Sequence, residues 1–435
     1  MRILDAPRFR SVFLVVTLFT LLAPDALRYS ISWYGFGVVV VAIVAVSVVL
    51  LVRARRARAL FAGEVPIPLV GFLALATLSI AWSFYPAPSA LGVMTTWMTV
   101  IVGAAVATTY SWEVILQALG TALRIILGLS LLFELVVSTF VRAPLLPFFT
   151  LADIDSYEKI PKLLYWSRDL LFEGGKIQGI VGNSSLLAFL GLLALIVFSI
   201  QLASRSVTRG AGIAWIAVSV AVILLTRSAT ITVAIVVIAV VLAAVLAIRR
   251  SGRRGTAAVY AGLLALVAAA ITAAAVAREP LLALLGKSSN LTGRLDIWSA
   301  VIGLAQERPA FGWGWVSFWI PWAPPFDTLA FEGGVQQLHA HNAWLDIWLQ
   351  LGIVGLVVFG ILVLSTAFRS WTLAVDRPWF EPTSPAPYTA ISLLPLLLIV
   401  ALLVQSVAES RLLIEYGLAL LVILAFKTKL GYRVG

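Results

Sequence analysis

Residues Ile231 to Ile248 read ITVAIVVIAVVLAAVLAI, with no charge in the run and Arg249-Arg250 directly after it. A helix rises about 1.5 Å per residue, so a stretch of this length approaches the thickness of a bilayer's hydrocarbon core. It is apolar on every face, as is Val38 to Val52, whereas a barrel strand would alternate apolar and polar residues over roughly ten positions. Water is absent from the bilayer core, and a helix satisfies its own backbone there. Such runs recur through a chain of 435 residues that is 61% hydrophobic and 12% charged, with a mean hydropathy of +1.04. The fold class is therefore all-α: a polytopic helical membrane protein forming one integral membrane domain over residues 1–435.

The apolar runs place spans at 11–24, 34–52, 65–83, 89–109, 113–141, 180–202, 210–226, 228–248, 256–277, 341–368, 388–406 and 411–427. About twelve helices put both termini on one side. Basic residues favour cytoplasmic connections. Termini inside would gather Arg2, Arg8, Arg10, Arg53 to Arg58, Arg205, Arg209, Arg249, Arg250, Arg253, Arg254, Arg369, Lys427, Lys429 and Arg433 there. The long connections 142–179 and 278–340, near balance in charge, then lie outside. The basic start, Met1 to Arg10, lacks a clear small-residue cleavage site before Pro24 and reads as a retained first helix.

This topology accounts for the net charge of +11 without nucleic acid as a partner. Zero cysteines exclude disulfides and thiolate chemistry, and two histidines leave little for a transition-metal site.

Both histidines fall in His339-Ala340-His341-Asn342, where a charged loop enters a long apolar run. Histidine exchanges protons near neutrality at small cost. The same layout puts Arg227 at the junction of the seventh and eighth spans, Arg294 in the 278–340 loop, and Glu409 with Arg411 before the last span, all on one membrane face. Each has a plainer account. Arg227 could anchor at headgroups, Arg294 could pair with Asp296, Glu409 could pair with Arg411, and either histidine could simply seat its helix. Trp313, Trp315, Trp319, Trp322 and Trp344 read most simply as an interfacial belt. Taken together, two arginines can clamp a diphosphate without a metal, and a histidine can take a proton from an attacking hydroxyl.

After His341-Asn342 the chain runs from Ala343 to Leu351 before Gly352, and Gly355 follows. With Gly182-Asn183-Ser184, Thr226-Arg227-Ser228-Ala229, Gly293-Arg294, Phe311-Gly312-Trp313-Gly314-Trp315 and Ala408-Glu409-Ser410 in that order, it resembles the O-antigen ligase and polymerase superfamily over residues 176–415. The first 175 residues match only in hydropathy. The resemblance implies a GT-C-like glycosyltransferase of a bacterial cytoplasmic membrane, with no cofactor. It would take a glycan from an undecaprenyl-diphosphate carrier at the outer leaflet and join it to a hydroxyl of a glycan or lipid-glycan acceptor. His341 would be the base, Arg227 and Arg294 would bind the diphosphate, and His339, Asn342, Glu409 and Arg411 are supporting candidates. His339 and Glu409 look more like the exopolysaccharide polymerase branch than the ligase branch.

A lipid-carrier flippase or transporter is the reading from another class. It would place charges along helices near the bilayer midplane, and the spans offer few besides Arg124 and Glu134.

Overall fold

The computed structural model describes residues 6–56, 62–150, 154, 157–276, 294–332, 335–376, 379–381, 384–385 and 388–431. Arg2, Arg58, Gly293 and Arg433 lie outside them, as does much of the early part of the 278–340 loop.

Each expected span has its helix among the described residues. They are α1 Pro7–Leu22, α2 Pro24–Arg56, α3 Ile67–Leu78, α4 Pro86–Thr109, α5 Trp112–Val136, α6 Ser184–Ala203, α7 Arg209–Thr226, α8 Ala229–Arg250 and α9 Arg253–Val276. A helix inside the expected outer loop follows, α10 Arg294–Glu307, then α11 Ala343–Val375, α12 Leu394–Ser406 and α13 Glu415–Gly431. Seven of these are long and apolar enough to cross a bilayer, and the protein is an all-α, multi-pass membrane protein. Two short antiparallel ladders, Phe331–Glu332 with Val335–Gln336 and Trp379–Glu381 with Ser384–Pro385, close loops.

Local chemistry sets the helix ends. Proline opens α1, α2 and α4, where its fixed φ suits the first turn and its missing N–H is not needed. Side chains cap others: Asn183 Oδ1 accepts from the Ser185 and Leu186 amides, and Asn342 Oδ1 from those of Trp344 and Leu345. At the far end of α8, Arg249 donates to the Ala374 carbonyl at 2.7 Å and to Ser392 Oγ at 2.8 Å, so it ties α8 to α11 and the start of α12.

Helix α6 is central: 78% of its most apolar window is buried, against 17% for α2. It packs on α5, α7 and α12, while α13 lies against α4 and α11. The turn at Thr226-Arg227-Ser228 sends its two helices to different neighbours, α7 chiefly to α6 and α8 chiefly to α12.

Two expectations are corrected. The 278–340 connection is no plain loop, because Ile297, Val301 and Ala305 of α10 are buried in a second apolar cluster with Trp319, Phe326 and Leu349. Nor are the tryptophans a belt. Trp315 and Trp319 are fully buried, Trp315 Nε1 donates to Thr96 Oγ1 at 2.9 Å and Trp344 Nε1 to Ser406 Oγ at 3.0 Å, whereas Trp322 is 77% exposed. The Trp315 and Trp344 indole N–H groups act as interior donors.

The two charges of the fifth span are structural. Glu134 accepts from Ser167 Oγ and from the Gln178 and Gly179 amides at 2.7–2.9 Å, which staples the 142–179 loop to α5. Arg124 donates to Gln201 Oε1 at 2.5 Å and lies over the Phe198 ring.

Candidate functional site

The site is built on a break in α11. Gly352 leaves the helical region at φ 67°, and the loop 309–314 inserts there. Ile353 N donates to the Pro309 carbonyl at 2.8 Å and Val354 N to Ala310 at 3.2 Å, while Trp313 N and Gly314 N donate to the Leu349 and Gln350 carbonyls at 3.0 and 2.9 Å. The inserted loop thus meets backbone groups on both sides of the break. A Cβ on Gly352 would collide with the Ala310 backbone, and one on Gly312, at φ 69°, with the Gln350 backbone. Two separate glycine motifs of the sequence are therefore one packing contact.

This arrangement fixes the start of α11, and with it the His339-Ala340-His341-Asn342 turn. His341 adopts φ 50°, a left-handed conformation unusual for a side chain of its size. The turn is held from three directions. Trp298 Nε1 of α10 donates to the Ala340 carbonyl at 3.0 Å, and Asp346 Oδ2 of α11 accepts the Ala340 amide at 3.0 Å. Ser410 Oγ accepts the Asn342 amide at 3.2 Å and itself donates to Asp346.

Five side chains then converge. Glu409 Oε2 lies 3.1 Å from His341 Nδ1, and its Oε1 accepts from Arg294 Nη2 at 3.0 Å. On the other edge of the imidazole, Gln337 Oε1 lies 3.0 Å from Nε2. His339 stacks edge-on to His341 with ring centroids 4.1 Å apart, and its Nδ1 accepts the His341 amide at 3.1 Å.

Charge follows from these contacts. Burial pushes the Glu409 carboxyl up, but His341, by charge and hydrogen bond, and Arg294 outweigh it and hold the group down at about 2. It is an anion at neutral pH. Burial, with His341 beside it, drives His339 well below its ordinary range, so His339 is a neutral acceptor. His339, His341 and Glu409 also bring ligand atoms within 4.8 Å of one another, a spacing that a divalent cation could bridge. Both Glu409 oxygens are already engaged, one of them by a guanidinium. That set fits an imidazole–carboxylate–guanidinium relay better than a cation.

Of the residues singled out in the sequence, the fold joins His339, His341, Asn342, Arg294 and Glu409. Arg411 sits on the next turn, bonded to Glu415 and 5.9 Å from the Phe318 ring, which in turn faces His339 at 6.4 Å. Arg227 caps α7 in the left-handed region at φ 48° and is exposed, at the bundle end where α11 begins. Gln337, Asp346 and Ser410 were missed. Asp346 left a signal, a carboxylate in the first turn of a long apolar helix, while Gln337 left none.

Residues 212–360 match the family model described as O-antigen ligase. The stretch includes Arg227, Arg294, Gln337, His339, His341 and Asp346 and stops short of Glu409. The chain is also similar to the exopolysaccharide production protein ExoQ of Rhizobium meliloti (strain 1021), 32% identical over 115 residues. That alignment covers 26% of this chain and 25% of the relative. Residues 212–360 thus carry a region similar to the O-antigen ligase family, and the chain spans about a quarter of the length of the curated relative it matches.

Proposed function

We propose that the protein is a membrane glycosyltransferase, moving a glycan from undecaprenyl diphosphate to an acceptor hydroxyl at the outer face of a bacterial cytoplasmic membrane, with both termini inside. The observation that carries the proposal is Glu409 bridging His341 and Arg294 at the mouth of the bundle. A base and an anion-binding group are thereby held as one unit beside apolar helices.

The chemistry follows from the bonds. Glu409 accepts the Nδ1 proton of His341, which leaves Nε2 to receive a proton. Gln337 marks the position that an acceptor hydroxyl would take: its Oε1 lies 3.0 Å from Nε2, and with Nε2 bare the carboxamide turns its NH₂ to the ring until the hydroxyl displaces it. As the acceptor oxygen bonds to the anomeric carbon, the bond from that carbon to the phosphate oxygen breaks and the hydroxyl proton passes to Nε2. Glu409 offsets the imidazolium, and Arg294 offsets the charge on the departing diphosphate. Arg227 is the second diphosphate contact in this reading. The fixed guanidinium makes a metal unnecessary for that charge, and direct displacement inverts the anomeric centre.

The purified protein in nanodiscs, given labelled polyprenyl-diphosphate glycan, should form new glycosidic bonds. Lengthening of carrier-linked glycan identifies a polymerase, and the similarity to an exopolysaccharide production protein favours that product. Passage to a different acceptor identifies a ligase. Movement of the lipid across the bilayer with no bond formed would mean a flippase and sink the proposal. Against that second reading, Arg124 and Glu134 are engaged in fixed structural bonds.

A further inference from the structure

Helices α1, α2 and α4, with the segment 316–338 and the start of α13, line a cavity of about 570 Å³. Its wall follows α2 from Arg28 to Val44 and α4 from Pro88 to Val102, with Thr17 and Thr20 of α1 behind. At 1.5 Å per residue, the α4 wall alone is roughly 20 Å deep. The shape is long and narrow, running from the site end of the bundle into its apolar zone. The threonines of α4 do not make it polar, because Thr95 and Thr99 donate to carbonyls of their own helix.

Its rim is charged. Arg28 binds Asp25 at 2.9 Å and Glu415 at 2.7 Å, Glu415 also binds Arg411, and the Arg28 guanidinium lies over the Trp33 and Phe36 rings at 4.5 and 4.6 Å. Among the described residues Arg28 Nε, Thr17 Oγ1 and Thr20 Oγ1 are buried without a hydrogen-bond partner, though all three side chains line the cavity. Buried donors left unmet cost free energy unless something binds them. The rim also reaches the candidate site, since Phe318 lines the cavity, faces Arg411 and stacks toward His339. Apolar depth, an unmet donor at the Arg28 rim with two more on the α1 wall, and continuity with His341 together describe a seat for an amphiphile with an oxyanion head.

We infer that this cavity holds the apolar chain of the lipid-linked donor, with the carrier phosphate at the Arg28–Arg411 rim. The inference rests on the transferase reading for the identity of the lipid. A chain gains little by leaving one apolar medium for another, so the cavity acts chiefly on alignment, holding the anomeric carbon toward His341.

A polyprenyl diphosphate carrying a photoreactive group on its chain, added to the full-length protein in nanodiscs, should crosslink to residues 28–44 and 88–102. Thr99→Trp fills the groove and should cut that labelling by about tenfold, while Thr99→Val keeps it and controls for folding. In transfer assays Thr99→Trp should slow a full-length donor by about tenfold and leave a donor truncated to two isoprene units unchanged. Labelling elsewhere, equal labelling by a photoreactive phosphatidylglycerol, or an equal fall with both donors would overturn the inference. Crosslinking needs no turnover, so groove labelling without new glycosidic bonds would count against the transferase reading alone.

Discussion

Glu409 Oε2 lies 3.1 Å from His341 Nδ1, and the same carboxylate reaches Arg294 through its other oxygen at 3.0 Å. One acid thus orients the ring and tethers the cation, although Arg294, His341 and Glu409 come from three separate parts of the chain. An anion at Nδ1 selects the tautomer whose Nε2 is bare, and it stabilises the imidazolium formed when Nε2 takes a proton.

Glu409→Gln keeps the shape and removes the charge. Turnover should drop on the order of 10²-fold or more with KM changed little, because the lost interaction belongs to the transition state. His341→Ala should abolish transfer and leave membrane insertion intact. Wild-type turnover in either variant, measured on detergent-purified protein, rules out the relay.

Arg294→Lys keeps a positive charge but loses the guanidinium fork. It should reduce kcat by about 10²-fold, and the same exchange at Arg227 should impair transfer as well. Full activity in both lysine variants would show that a point charge suffices and that bidentate binding of a diphosphate plays no part.

Gly352→Ala should destabilise the protein by on the order of 1–3 kcal/mol or more, from left-handed strain and from collision with the Ala310 backbone. Gly360→Ala, where nothing lies near an added Cβ and the backbone is helical, should be neutral or slightly stabilising. Thermal melts in detergent compare the two. Equal melting temperatures would contradict the inserted-loop geometry.

Acid should unfold the site in two stages. His339 is depressed below 6.5 in the folded protein, so below that value the unfolded chain binds more protons and stability falls with falling pH. Glu409 is depressed from 4.5 to about 2, so its contribution is complete above 4.5 and is lost between there and 2. His339→Phe keeps a ring and removes the first titration. Its melting temperature should fall less than that of wild type between about pH 7.5 and 5.5. A parallel fall in both would assign that pH sensitivity elsewhere.

Ser410→Ala removes the hydroxyl that joins Asn342 N to Asp346. Buried acceptor capacity on Asp346 is then unmet, so the turn should loosen at a cost of about 1–3 kcal/mol and kcat should fall with it. Retention of both stability and kcat would show that the turn is held without this bridge.

The apolar runs determined the helices, because a segment such as Ile231 to Ile248 has no other way to satisfy its backbone in a bilayer. Sequence also exposed His341, Arg294 and Glu409, since charge is scarce in such a chain and its sites stand out. Helix α10 was hidden because its polar face dilutes the hydropathy of a short segment, and Trp315 and Trp319 passed as belt residues because an indole suits both an interface and a core. Only the tertiary structure decided who pairs with whom. Arg294 turns to Glu409, residues separated by the rest of α10 and all of α11 and α12, because the loop wedged into the Gly352 break sets where α11 begins. Gln337 and the Arg28 rim were likewise out of reach of the sequence. Hydropathy counts which residues enter the membrane, whereas the faces they share depend on contacts between helices distant along the chain.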